Sequence, residues 1–148
     1  MKYQGSRVMG IDYGSVRIGI ATSDLSKTIA FGQKAIDNNN KSLDNIIEMI
    51  ISESVSEIVI GYPLNLKGTK TAQTLDVEKF EIELNERINH KLPGSGIKVV
   101  RWDERFTSKM AEDSMLISGM KKKNRRNKSN IDIIAAALLL QSYLDKSK

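Results

Sequence analysis

Apolar residues fall in two kinds of run along this chain, short β-branched stretches and longer stripes at helical spacing. Residues 7–13 (Arg-Val-Met-Gly-Ile-Asp-Tyr) and 17–23 (Arg-Ile-Gly-Ile-Ala-Thr-Ser) read as strands joined by the tight connection Gly14-Ser15-Val16, hence a hairpin. A third strand is predicted within 28–36. The polar Asn38, Asn39 and Asn40 break it off, and Ser42 or Asp44 helps to begin a helix over 41–53 that stacks Leu43, Ile46, Ile47 and Ile50 on one face. Residues 57–61 (Glu-Ile-Val-Ile-Gly) form a short apolar strand of the buried parallel type. After a loop over 62–69, a long helix over 70–91 carries Val77, Phe80, Leu84 and Ile88 as its core stripe, and Pro93-Gly94-Ser95-Gly96 ends it. Residues 97–102 give another strand, with Asp103 and Glu104 at its C-terminal end, and a helix follows near 107–119. The last helix, over 130–145, is apolar on nearly every side around Ile131, Ile134, Ala135, Leu138 and Leu140, as expected of a helix buried against a sheet. This order predicts an α/β fold: one mixed sheet, an antiparallel three-strand meander plus parallel strands, with helices on both faces. No internal repeat or linker divides it, so residues 1–148 are expected to form a single domain.

Charge adds what periodicity does not. The net charge is +5, yet residues 121–128 (Lys-Lys-Lys-Asn-Arg-Arg-Asn-Lys) hold six basic groups and no acid. Without them 17 basic residues face 18 acidic ones, so the basicity is local, as a phosphate-contacting loop requires. The alternative is a merely solvated loop. There is no cysteine, which excludes disulfides, thiolate metal sites and a cysteine nucleophile. The opening residues lack the apolar core of a signal peptide, and no apolar run reaches the ~18 residues of a membrane span. A cytoplasmic protein with no membrane partner is expected.

Three carboxylates stand where they invite chemistry. Asp12 lies inside a strand among Gly10, Ile11 and Gly14, where an unpaired charge is costly. Glu104, or its neighbour Asp103, ends what reads as a buried strand. Adjacent residues of an extended strand face opposite ways, so at most one of the two is expected to enter a site. Asp132 opens the last helix, with the small Ala135 and Ala136 one turn on, and it also reads as ordinary negative charge at a helix start. If the three converge, carboxylates some 4 Å apart repel by ~4 kcal/mol at an effective dielectric of about 20, and a divalent cation removes that penalty. Hard oxygen ligands without His or Cys suit Mg²⁺ or Mn²⁺, which assist phosphodiester hydrolysis. The glycines of 10–14 also permit a close approach to phosphate, as in actin-like ATPases, but those need two such domains. Gly68-Thr69 precedes a helix, with capping by Thr69 expected, and His90 reads as surface. Trp102 and Tyr13 fit packing better than base stacking.

Four blocks in order now carry a resemblance: Gly10-Ile11-Asp12-Tyr13-Gly14 with Arg17-Ile18-Gly19 and Ser23-Asp24; Gly61-Tyr62-Pro63-Leu64-Asn65 with Gly68-Thr69; Asp103-Glu104-Arg105 with Thr107; and Asp132 with Ala135, Ala136, Leu140, Gln141, Tyr143 and Leu144. Over nearly its whole length the chain resembles the RuvX/YqgF family of bacterial Holliday-junction-resolvase-like proteins, described as pre-16S rRNA nucleases. Phe106 stands where that family more often has Leu. The resemblance implies an RNase-H-like fold and a metal-dependent nuclease that matures the 5′ end of 16S rRNA in ribosome biogenesis. By position, Asp12, Glu104 and Asp132 would be both the catalytic residues and the ligands of Mg²⁺ or Mn²⁺. Arg17 and Arg105 match basic positions of the family motifs. With Lys121, Lys122, Lys123, Arg125 and Arg126 they are candidate substrate-binding residues, though both arginines also suit ion pairs with nearby carboxylates. The expected partner is nucleic acid, pre-rRNA before branched DNA, bound by a monomer or a homodimer. Two alternatives stand beside this reading: a resolvase cutting branched DNA as a dimer, and a nucleic-acid-binding or transcription-associated factor without turnover.

Overall fold

The computed structural model describes residues 5–106 and 128–146. The helix expected near 107–119 and the basic residues Lys121, Lys122, Lys123, Arg125 and Arg126 lie outside them. Strands β1 (Arg7–Tyr13), β2 (Arg17–Ser23) and β3 (Ala30–Asp37) come first, followed by α1 (Ser42–Ser52) and β4 (Val55–Tyr62). Next are α2 (Ala72–Lys91), β5 (Lys98–Asp103), a 3-10 turn (Glu104–Phe106) and α3 (Lys128–Lys146). The sheet order is β3-β2-β1-β4-β5. The first three strands pair antiparallel, while β4 lies parallel to β1 and β5 parallel to β4. This is the mixed sheet that the hydrophobic pattern predicts.

Alternation along β1 splits the core in two. Met9 and Ile11 join Ile18, Ile20, Ile58 and Ile60 under α1 and α2, which contribute Ile46, Ile50, Val77, Phe80, Leu84 and Ile88. Val8, with Ala21 and Val59, faces the other way, toward Ala136, Ala137, Leu140 and Leu144 of α3. Asp12, four residues after Val8, shares that second face.

Two expectations need correction. The strand ending at Asp103 is not buried: β5 lies at the sheet edge and every residue in it is at least partly exposed. Its apolar run reads like that of an interior strand, but among the described residues no further strand covers its outer side. The cap of α2 is Thr71, not Thr69; Thr71 Oγ1 accepts from the Thr74 backbone N–H, and Thr74 Oγ1 reciprocates to the Thr71 N–H at 2.9 Å. Among the described residues no helix is long and apolar enough to cross a membrane.

Candidate active site

Asp12 and Glu104 meet over β4. Asp12 stands near the C-terminal end of β1, and Glu104 begins the turn that follows β5, so one strand separates them. At that strand's matching level the residue is Gly61, and an added Cβ there would stand 2.6 Å from Glu104 Oε1. The missing side chain lets Glu104 cross β4 and hydrogen-bond to Asp12. Burial, then the charge of Glu104 and its hydrogen bond, then the charge of Asp132 push the Asp12 carboxyl up to about 7. Burial raises Glu104 too; the bond from Asp12 opposes this and the charge of Asp103 adds to it. Both carboxyls are thus pushed upward, and the pair shares a proton between them.

Asp103 is excluded from this pair. Arg105 donates to it through the backbone N–H at 2.9 Å and through Nη2 at 2.6 Å, which holds its carboxyl below the usual range. Of the two acids at the end of β5, Glu104 turns toward Asp12 and Asp103 serves Arg105.

Asp132 arrives from the opposite side. Asp12 pairs in register with Gly19 of β2, and a Cβ on Gly19 would stand 2.1 Å from the Asp132 carbonyl oxygen. That gap seats the first turns of α3 against the sheet beside Asp12. The Asp132 side chain is close enough to raise Asp12 through its charge, yet its Oδ2 accepts from Arg17 Nε at 2.8 Å. The structure thus brings Asp12 and Glu104 into contact and sets Asp132 next to them, engaged by Arg17. Among the described residues no three Asp, Glu or His side chains already form a metal cage.

A cavity of about 240 Å³ opens on the pair, lined by Asp12, Glu104, Ala135, Leu138 and Leu139. Among the described residues, its acidic floor and aliphatic wall offer only carboxylate oxygens as strong side-chain ligands. This donor set fits a hard divalent cation: two carboxyls forced to share a proton are short of positive charge, and Mg²⁺ or Mn²⁺ supplies it. A larger groove of about 550 Å³ lies at the other end of the sheet beside Arg7, Asp24 and Phe31, and holds none of the sequence-predicted residues.

The aromatic candidates pack. The rings of Tyr13 and Phe80 stand 4.6 Å apart, and Trp102 meets Tyr143 edge-on at 5.4 Å while Nε1 donates to Ser142 Oγ at 3.3 Å. His90 is exposed at the end of α2. Sequence reasoning passed over the steric roles of Gly19 and Gly61 and the apolar wall of Leu138 and Leu139. The signal for Gly61 was present: a glycine closing an apolar strand removes a side chain just where strand ends gather functional groups.

A sequence model of the RuvX family, described as Holliday junction resolvase, matches residues 6–146. A Bacteroides fragilis protein named "Putative pre-16S rRNA nuclease" is 39% identical over 143 residues, covering 97% of this chain and 99% of that one. A Phocaeicola vulgatus protein of the same name is 36% identical, covering 97% and 98%. Among solved structures, T. thermophilus RuvC in complex with a Holliday junction substrate superposes with a TM-score of 0.61 at 13% identity, over 96% of each chain. That likeness establishes the fold, which is RNase-H-like. With a family match from residue 6 to residue 146 and near-complete overlap with its relatives, the chain belongs to the RuvX family.

Proposed function

We propose that this protein is a divalent-metal-dependent nuclease that processes the 5′ end of pre-16S rRNA in the cytoplasm, with Asp12 and Glu104 at its reactive centre. The observation that carries the chemistry is the meeting of the half-buried Asp12 and Glu104 carboxyls across the bare backbone of Gly61, in one cavity, with the Asp132 carboxylate beside them. The names of the full-length relatives support the substrate. Asp12, Glu104 and Asp132 would hold Mg²⁺ or Mn²⁺, which supplies Lewis-acid stabilisation of the phosphoryl oxygens and of the leaving oxygen.

The chain's own residues do the rest. Asp12 and Glu104 give up their shared proton and present two anionic carboxylates to the cavity. Arg17 fixes the carboxylate of Asp132 at the edge of the site through its 2.8 Å bond. Ala135, Leu138 and Leu139 close one side against bulk water, which strengthens each charge interaction within. Arg105, whose side chain is 36% exposed, faces phosphates flanking the scissile bond while paired to Asp103. Lys121, Lys122, Lys123, Arg125 and Arg126 bind the phosphates of the RNA backbone.

The test is cleavage of pre-16S 5′ fragments under Mg²⁺ or Mn²⁺ by the parent and by Asp12→Asn. The variant is expected to fold and to lose activity by at least about a thousandfold, the loss of several kcal/mol of charge stabilisation. Parental cleavage rates in Asp12→Asn would sink the mechanism. A second reading, resolution of branched DNA, is favoured by the family description and the RuvC-like fold. Four-way junctions assayed in parallel separate the two, and symmetric cuts by a dimer would favour the second.

A further inference from the structure

Leu66, 94% exposed, is the most exposed large hydrophobic residue among those described. A lone surface leucine means little by itself, but its setting is unusual. It stands at the apex of a small hairpin that follows β4, where Leu64 and Lys70 form an isolated antiparallel bridge. The Asn65 N–H donates to Thr69 O at 3.1 Å, and the Gly68 N–H to Asn65 O at 2.9 Å. The Asn65 side-chain oxygen accepts from the backbone N–H of Lys67 and of Thr69, both at 3.0 Å, and its amide donates to the Thr69 hydroxyl. The apex is thus fixed by its own hydrogen bonds, and Leu66 is held out in water by an ordered turn.

This hairpin rises from the end of the sheet that carries the carboxyl pair, directly after Gly61 and Tyr62. It also touches the turn that presents Glu104. Gly68 has φ +82°, and a Cβ added there would stand 3.2 Å from Nη1 of Arg105, the residue that follows Glu104. An apolar tip therefore stands next to the exposed Lys67, on an ordered turn whose Gly68 lies against the guanidinium of Arg105, the neighbour of Glu104. Five residues lead from Gly61 to Leu66, a reach of at most about 17 Å, or about five stacked nucleotides.

We propose that this hairpin is a wedge. Leu66 enters between two stacked bases of the RNA while Lys67 and Arg105 take the phosphates on either side, and the wedge fixes which phosphodiester reaches Asp12 and Glu104. Apolar side chains that part base steps work in this way, and a preordered support lowers the cost of insertion. The wedge rests on the nuclease reading for its substrate, so its test is kept apart from cleavage.

Pre-16S 5′ fragments carrying 2-aminopurine at successive positions are titrated with the Asp12→Asn protein, which binds RNA without cutting it. Fluorescence at one position is expected to rise severalfold as that base unstacks. Leu66→Ser in the same background abolishes the rise and weakens binding about threefold to tenfold, whereas Leu66→Met keeps it. Leu66 makes no core contact, so the melting temperature stays at the parental value in both variants. An unchanged fluorescence profile in Leu66→Ser, or no unstacked position at all, overturns the wedge. A parent protein that unstacks the base but cuts nothing under Mg²⁺ or Mn²⁺ ends the nuclease reading and leaves the wedge standing.

Discussion

The proton shared by Asp12 and Glu104 makes the site a pH-dependent burden on the fold. In the folded protein Asp12 keeps its proton up to about 7, whereas the unfolded chain loses it near 3.8. Between those values the folded state binds more protons, so stability falls as pH rises from about 4 to about 7 and is level above. Asp24 works in a separate window. The N–H groups of Ile29 and Thr28 and the Ser26 hydroxyl lower its carboxyl to about 2, so its contribution is present above 3.8 and is lost only as pH falls toward 2. A decline between pH 5 and 7 thus belongs to the carboxyl pair. In metal-free protein the melting temperature is expected to drop across that interval. Asp12→Asn removes the drop and is the more stable protein at pH 8, by about 2 kcal/mol once residual solvent screening is allowed for. Saturating Mn²⁺ at pH 8 raises the melting temperature of the parent and not of the variant. A parental melting temperature that stays flat from pH 5 to 7 would contradict the shared proton. Asp12 was legible in the sequence because a carboxylate among strand glycines has little structural use. The choice between Asp103 and Glu104 was not, since it depends on Gly61 two strands' width from Asp12's own neighbour Gly19. The Arg17–Asp132 bond joins residues 115 positions apart, a separation that no local pattern encodes.

Helix α3 places Asp132 only because β2 offers a bare backbone at Gly19. Substituting Gly19 by alanine drives a Cβ into the Asp132 carbonyl, which belongs to the helix backbone and has no flexible side chain to give way. The first turns of α3 must lift, at a cost of about 2 to 3 kcal/mol, and Asp132 moves off with them. Urea unfolding is expected to show the loss, and Mn²⁺ titration a weaker affinity at the same time. Parental stability in Gly19→Ala would mean that α3 is not seated on β2 as described. Periodicity located the elements well, because spacing of two or 3.6 is written in the sequence: β1 and β2 run Arg7–Tyr13 and Arg17–Ser23, as predicted. It misjudged β5 because burial depends on strand order, and an edge strand with Val99 and Val100 reads like an interior one. The cap of α2 was missed by two residues, since Thr69 and Thr71 are equally good cap types. The reciprocal partner Thr74 makes the difference, in place of the usual Glu or Gln.

Charge is the property of the chain that needs no fold to be read. The net +5 resides in residues 121–128, and the remainder of the molecule is slightly acidic, with its reactive centre more acidic still. On the proposed reading, a polyanion approaching such a surface is repelled by the carboxyl site and drawn chiefly by the basic segment, with Arg105 and Lys67 adding local contacts, so affinity and chemistry are largely divided between different parts of the chain. Replacing Lys121, Lys122, Lys123, Arg125, Arg126 and Lys128 by Gln is therefore expected to act on binding alone. If all six meet phosphates of single-stranded RNA, the slope of log K against log salt falls in magnitude by about four. The Mn²⁺ affinity of the carboxyl site and the melting temperature keep their parental values, because neither depends on counterion release. A salt slope equal to the parent's would assign the segment to solvated surface and move the search for the phosphate track to Arg105, Lys67 and the hairpin beside them.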